Sequence, residues 1–292
     1  MLVTVRELLG DAEKKQRAVG AFNVPNLESL RGVIQAAEML KVPVIIQHAE
    51  VHENLISIEE IGPIMVDYAK RATVPVAVHL DHGSSLEECI KAIRLGFTSI
   101  MYDASLKNYE TNVKETSELV KIAHSVGVSV EAELGEMTNS KVGSGEGRSS
   151  EIGDFGNNDL FTNPQQAKAF IETTKVDSLA IAFGTVHGKY FEEPNLDFER
   201  IADIRTITNA TPLVMHGGSG VSEKDYQRAI EAGIRKINYY TYMNLAAGES
   251  LRHTNEQYQN KEIFFDAVSL TATAAIKKNI VQALKIFNHL TF

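Results

Sequence analysis

From residue 18 onward the chain alternates short apolar runs with amphipathic stretches, and the alternation keeps one rhythm almost to its end. Eight runs read as buried strands: 18–24, 42–47, 74–82, 99–104, 127–134, 178–184, 212–218 and 236–241. Between them, apolar residues recur at helical spacing over 27–40, 58–71, 86–95, 109–124, 164–174, 196–208 and 222–232. Eight strands alternating with helices predict a closed parallel (β/α)8 TIM barrel rather than an open doubly wound sheet.

The punctuation agrees with this pattern. Gly96, Gly127 and Gly233 fall between a helix and the next strand, where a left-handed residue is needed. Pro43, Pro75 and Pro212 stand near strand starts, where a missing N–H is tolerated, and Ser222 with Asp225 predicts a helix entry. The connection 135–158 is long and rich in Gly and Ser, as expected of a lid over an active site. Beyond the eighth strand, Phe264, Phe265, Val268, Leu270, Ile276, Ile280, Leu284 and Phe287 form apolar stripes at helical spacing. These make 245–292 a C-terminal helical extension of one 1–292 domain, expected to cover a barrel end or a neighbouring subunit in a homodimer or homotetramer.

Polar groups concentrate where the third strand ends, in His79-Leu80-Asp81-His82-Gly83-Ser84-Ser85. Strand alternation puts His79 and Asp81 on one face and His82 on the other, unless the backbone is already turning there. In a parallel barrel the carboxyl ends of the strands are where chemistry sits. The other strand ends add Asp103, Glu131 and Glu133, then His187 in Gly184-Thr185-Val186-His187-Gly188-Lys189, then His216 in His216-Gly217-Gly218-Ser219-Gly220. His82, His187 and His216 would make a three-nitrogen site suited to zinc, with Asp103 and Glu133 behind them or as alternative ligands. His48 and His52 are expected at most to rim the mouth. The glycine-rich 217–220 loop before a helix, together with Asn238, Tyr239, Tyr240 and Thr241 after the last strand, suggests a phosphate cradle.

Composition removes several other classes. A net charge of −9 argues against a nucleic-acid surface, which needs clustered Lys and Arg. The single cysteine, Cys89, lies on an apolar helical stripe, so neither a disulfide framework nor a cysteine metal cluster is expected, which suits a reducing cytoplasm. Residues 1–7 lack the apolar core of a signal peptide, and no segment is apolar enough over sufficient length to span a bilayer as a helix, so no membrane partner is expected.

Taken together, Ala21-Phe22-Asn23-Val24, His79-Leu80-Asp81-His82-Gly83, the run 96–103, Val130-Glu131-Ala132-Glu133-Leu134-Gly135, Gly184-Thr185-Val186-His187-Gly188 and His216-Gly217-Gly218-Ser219-Gly220 resemble the class II, zinc-dependent ketose-bisphosphate aldolases, of fructose- and tagatose-bisphosphate type. The resemblance implies zinc on His82, His187 and His216, acting as a Lewis acid for the enediolate formed when a phosphorylated ketose is split into dihydroxyacetone phosphate and an aldehyde. It implies that Asp81 takes the proton from the C4 hydroxyl in cleavage and returns it in condensation. It implies a dihydroxyacetone-phosphate site at Gly188, Gly217, Gly218, Ser219 and 238–241, with a monovalent cation (Na+ or K+) beside it.

The departures fall mostly on the aldehyde half. Tyr239-Tyr240-Thr241-Tyr242 replaces the small or acidic residues usual beyond the family's asparagine, and Ala49 stands where a serine would contact the distal phosphate. The arginine that usually binds that phosphate has no counterpart around 258–261, and the 135–158 connection lacks the family's usual Gly-Gly-x-Glu pattern, leaving Glu146 or Glu136 as candidates for proton delivery. An acceptor aldehyde other than glyceraldehyde 3-phosphate is therefore expected. Two rival readings are a zinc-dependent barrel hydrolase, which leaves the phosphate cradle unexplained, and a non-catalytic accessory subunit of an aldolase complex, which would not need the histidines and Asp81.

Overall fold

The computed structural model describes residues 1–137, 160–208, 211–258 and 262–291. Eight parallel strands, β1 (Val19–Asn23), β2 (Val44–Ala49), β3 (Val76–Gly83), β4 (Ser99–Tyr102), β5 (Ser129–Leu134), β6 (Ser178–Ile181), β7 (Leu213–Met215) and β8 (Ile234–Tyr239), close into a barrel in chain order. All eight predicted strands are present. The helices are α1 (Val5–Lys15), α2 (Leu27–Leu40), α3 (Ile58–Arg71), α4 (Leu86–Arg94), α5 (Tyr109–Ser125), α6 (Pro164–Thr174), α7 (Phe198–Ile207), α8 (Glu223–Ala232), α9 (Thr241–Tyr258) and α10 (Phe265–Phe287). Polar residues start them: the side chains of Asn26, Ser57, Ser85, Asn108, Asn163 and Ser222 each accept an N–H of the first helical turn.

Alternation along the strands separates two environments. Phe22, Ile46, Val78, Leu80, Ile100, Val130, Leu179, Met215 and Ile237 pack outward against the helices in the main apolar cluster. Inward residues change character from bottom to top. Val19, Ala21, Ile45 and Ala77 form an apolar floor against Val5, Leu8, Leu9 and Ala12 of α1, the helix beneath the barrel. Above that floor the inward positions are polar, and the parallel register sets Asn23 beside Gln47, Gln47 beside His79 and Ala49 beside Asp81.

Of the two places expected for the C-terminal stripes, the barrel end is taken by another helix. Ile276, Ile280, Leu284 and Phe287 are buried, and α10 packs on α2, α9 and α8 within the helical ring, while α1 occupies the barrel end. Phe264, Phe265 and Leu270 of the same stripes remain exposed. Among the described residues no helix is long and apolar enough to cross a membrane.

Candidate active site

At the carboxyl end of β3 the backbone leaves the strand pattern. His82 has φ +51°, a left-handed conformation rarely adopted by a residue with a side chain, and the β3–β4 register slips between Leu80 and Gly83. The consequence is that Asp81 and His82, though consecutive, both serve the barrel mouth, with 4.0 Å between Asp81 Oδ1 and His82 Nε2. Strand alternation alone would have parted them. Backbone strain of this kind, held by the surrounding packing, is typical of functional positions.

Three histidines from three strand ends meet there. The ring centroids of His82 and His216 are 4.6 Å apart, those of His82 and His187 5.3 Å, and those of His187 and His216 5.9 Å. One ring nitrogen of each lies within 4.8 Å of the others, and all three residues are buried. Two of the rings are pinned from behind by carboxylates. His82 Nδ1 is 2.7 Å from Asp103 Oδ2, and His216 Nε2 is 3.0 Å from Glu131 Oε1. The opposite nitrogens, His82 Nε2 and His216 Nδ1, are therefore turned toward one another at 3.0 Å. Glu133 Oε2 lies 3.7 Å from His216 Nδ1.

Several buried atoms at this point lack any hydrogen-bond partner: both ring nitrogens of His187 and Glu133 Oε2. Orphaned buried donors and acceptors are costly, and a cation would satisfy one His187 nitrogen and the Glu133 oxygen together. Three imidazoles, two of them backed by carboxylates, are also the donor chemistry that suits zinc, so the residues fit the ion. His82, Asp103 and Glu133 form a second group of the same dimensions, sharing His82. Asp103 is already committed to His82 and to the backbone and hydroxyl of Ser105.

The charges of the site depend on one another. Burial alone would lower His82, but the charges of Asp81 and Asp103 with the Asp103 hydrogen bond raise it to about 10. Burial would raise Asp81, but His82, His216, Lys236 and His79 hold it down at about 2. Burial followed by the charge of Asp103 pushes Glu133 well above the usual carboxylate range. His187 is driven well below the usual histidine value, first by burial and then by His82 and His216.

Asp81 is held by carboxamides. Its Oδ2 accepts from Asn23 Nδ2 and Gln47 Nε2, both at 3.0 Å, and its Oδ1 accepts from Asn238 Nδ2 at 3.1 Å. Gln47 Nε2 also donates to Asn23 Oδ1 at 2.9 Å. A carboxylate only accepts, so it dictates which end each amide presents. The amide oxygens of Gln47 and Asn238 are then left without partners beside it.

The loops after β6, β7 and β8 form one unit. Tyr190 Oη accepts from Val186 N–H at 3.0 Å and donates to the Gly217 carbonyl at 2.9 Å. Gly217 has φ +59°, and a Cβ there would lie 2.3 Å from the Val186 carbonyl oxygen, so only glycine fits. Gly188, with φ +100°, follows His187 in the same unit. Gly218 N–H donates to the Asn238 carbonyl at 3.1 Å, and Ser219 Oγ accepts from Tyr240 N–H at 2.8 Å. Thr241 begins α9 directly above β8.

Two sequence expectations change. Tyr239 lies on the outward face of β8, with its ring against Phe22 and Phe287 and its hydroxyl donating to Asn279 Oδ1, so its bulk does not enter the mouth. Asn238 is engaged with the Asp81 side chain. Tyr240 does stand near the rim, its ring 4.9 Å from that of His52. His48 faces outward from β2 and contacts Glu53 Oε1 at 2.9 Å. Glu146 lies outside the described residues, and Glu136 donates its N–H to the Leu160 carbonyl at 2.8 Å. Gln47 and Lys236, engaged with Asp81 and Glu131, were not expected from the sequence; the signal was a polar residue at the inward parity of an otherwise apolar strand.

Known proteins share this arrangement of chain. The family model described as fructose-bisphosphate aldolase class-II matches residues 3–290. A Staphylococcus aureus fructose-bisphosphate aldolase is 37% identical, over 98% of this chain and 97% of its own. A Bacillus subtilis protein named "Probable fructose-bisphosphate aldolase" is 40% identical over 258 residues, 87% of this chain and 86% of its own. The crystal structure of the YdjI aldolase from Escherichia coli K12 superposes with a TM-score of 0.85 at 37% identity, covering 98% of this chain and 97% of that one.

Proposed function

Because the chain belongs to the class II fructose-bisphosphate aldolase family, we propose that it reversibly cleaves a phosphorylated ketose to dihydroxyacetone phosphate and an aldehyde, with zinc as its metal. It is a carbon–carbon lyase of the class II type. The observation that carries the finer reading is the convergence of His82, His187 and His216 beside Asp81 at the mouth of the barrel. His82, His187 and His216 would hold the zinc, with Glu133 or Asp103 as an alternative carboxylate. When bound, the ion would supply Lewis acidity toward the substrate's ketone oxygen.

The chain's own groups account for the remaining tasks. Asp81, ionised through the neutral range, would take the proton of the C4 hydroxyl as the C3–C4 bond breaks and return it in the reverse direction. A carboxylate held this low is a weak base, so orientation must carry much of the effect, and the three carboxamides around Asp81 supply it. Gly188, Gly217, Gly218, Ser219 and Thr241 would receive the dihydroxyacetone-phosphate end, with a Na+ or K+ ion beside it, and Tyr240 would close the rim. Glu146 is the candidate for proton delivery to C3.

The acceptor half is read as different from one that binds glyceraldehyde 3-phosphate. Ala49 occupies the inward position beside Asp81 and offers no hydroxyl to a distal phosphate. The preferred ketose would then carry one phosphate. The exposed Phe264, Phe265 and Leu270 support a homodimer or homotetramer. The sequence supports a cytoplasmic enzyme formed by one domain over its length.

The test is a condensation screen on the purified, metal-analysed protein with dihydroxyacetone phosphate and a panel of aldehydes. Stoichiometric zinc and adducts with unphosphorylated aldehydes are expected. Strong preference for fructose 1,6-bisphosphate would overturn the acceptor assignment, while a folded, zinc-free and inactive protein would point to the accessory role instead.

A further inference from the structure

Beneath the three-histidine cluster lies a second polar layer in which the barrel interior holds a full ion pair. Lys236 and Glu131 are both completely buried. Lys236 Nζ donates to Glu131 Oε1 at 2.9 Å and to Oε2 at 2.8 Å, and its third contact is His79 Nε2 at 3.2 Å. An ammonium has three donors and accepts nothing, so all three are used and His79 Nε2 must be the acceptor. His79 Nδ1–H then donates to Ser99 Oγ at 2.8 Å. Glu131 accepts further from Ser178 Oγ at 3.3 Å and from His216 Nε2 at 3.0 Å.

Such a pair is an expensive way to fill a barrel. Barrel interiors are ordinarily packed with branched apolar side chains, and replacing a buried ion pair by apolar residues is often neutral or stabilising. The pair's position suggests what it does. Glu131 can keep His216 in one ring orientation, with Nε2–H pointing down and the Nδ1 lone pair pointing to the cluster, only while its own carboxylate cannot rotate. Lys236 grips both oxygens and prevents that rotation.

We propose that Lys236 is a positioning residue for the metal site: by clamping Glu131, it fixes the tautomer and orientation in which His216 offers Nδ1 to the cluster. The inference rests on the three histidines being metal ligands. Lys236 does not touch the histidine it controls, and acts on it through one carboxylate.

The experiment measures zinc dissociation by competition with a chromogenic chelator, beside the melting temperature of the metal-stripped protein, for the native chain, K236M, K236M/E131Q and H187A. K236M is expected to bind zinc about 10- to 100-fold more weakly, the range for groups that orient a ligand. In 15N-histidine spectra of the metal-free proteins, the native chain is expected to show a single Nε2–H tautomer at His216 and K236M to lose it. K236M/E131Q leaves no buried unpaired charge, so it should recover melting temperature while zinc binding stays at least about 10-fold weakened, because the carboxamide is no longer clamped.

Zinc affinity within twofold of native in K236M would overturn the proposal, whatever its melting temperature. Where K236M alone does not fold, the same result in K236M/E131Q would overturn it. H187A separates this inference from the one beneath it. Native zinc binding in H187A refutes the three-histidine reading, whereas loss in H187A with retention in K236M refutes the positioning role alone.

Discussion

Replacing Asp81 by Asn and by Ala separates its chemical from its structural contribution. Three buried N–H donors, from Asn23, Gln47 and Asn238, end on this carboxylate. Alanine strands all three, and an unsatisfied buried polar group costs about 1–3 kcal/mol. Allowing for water entering from the mouth, D81A should lose about 3–6 kcal/mol of stability. Asparagine keeps one acceptor oxygen, which can retain Asn23 and Gln47, and its new NH2 faces Asn238. The Asn238 amide can turn to meet it, because its oxygen has no other partner. D81N should therefore lose only about 1–2 kcal/mol, mainly from the charge removed beside His82. Both variants should lose about 10²- to 10⁴-fold in kcat, the usual contribution of a positioned base. Urea unfolding of the metal-stripped proteins gives the stabilities, and a coupled assay of triose phosphate release gives the rates. Equal stability of D81A and the native chain, or more than about a tenth of native kcat in D81N, would refute the reasoning.

Four further outcomes follow from the same geometry. H187A removes two buried nitrogens without partners, so the metal-free protein should be at least as stable as native, while the rise in melting temperature on adding zinc disappears; calorimetry with and without zinc checks both. His79 is lowered to about 3, by burial first and then by the Lys236 charge, so it takes up fewer protons folded than unfolded. Its contribution to stability is complete above about pH 6.5 and is lost as the pH falls toward 3, and in H79Q the metal-free stability should fall less steeply between pH 6 and 4, by about 1.4 kcal/mol per unit. G217A, which sets a methyl against the Val186 carbonyl in a left-handed backbone, should cost about 2–4 kcal/mol by urea unfolding and raise KM for the ketose. Introducing a hydroxyl with A49S should improve kcat/KM for fructose 1,6-bisphosphate relative to singly phosphorylated ketoses, and an unchanged ratio would count against the reading of the acceptor half.

Much of this was legible because a barrel strand announces itself twice, by its apolar run and by the polar residue where it stops. All eight strands and the seven helices expected up to residue 232 could be read from the sequence, since Gly96, Gly127 and Gly233 sit at left-handed positions where helices end. The first helix was harder: Val5, Leu8, Leu9 and Ala12 form an amphipathic stripe, but nothing local says that its partner is the inside of a barrel. His82 posed the opposite problem. Strand periodicity assigns it to the wrong face, and a positive φ at a histidine leaves no compositional trace. Neighbourhood in sequence also misled at Tyr239, which follows Asn238 but faces the helices. Lys236 and Gln47 are inward by parity; Gln47 meets Asp81 across the neighbouring strand, whereas Lys236 on β8 reaches Glu131 on β5 only because the barrel closes.

A single peptide unit joins the group assigned to move the proton and one of the groups assigned to hold the metal. Their separation is set by covalent geometry and one unusual torsion, so neither can drift without dragging the other. On the proposed reading, variation in which sugar is accepted would come from Ala49, beside Asp81 on the neighbouring strand, and from His52 and Tyr240, none of them tied covalently to that pair. The proposed chemistry and the proposed choice of partner aldehyde would thus rest on residues that can change independently.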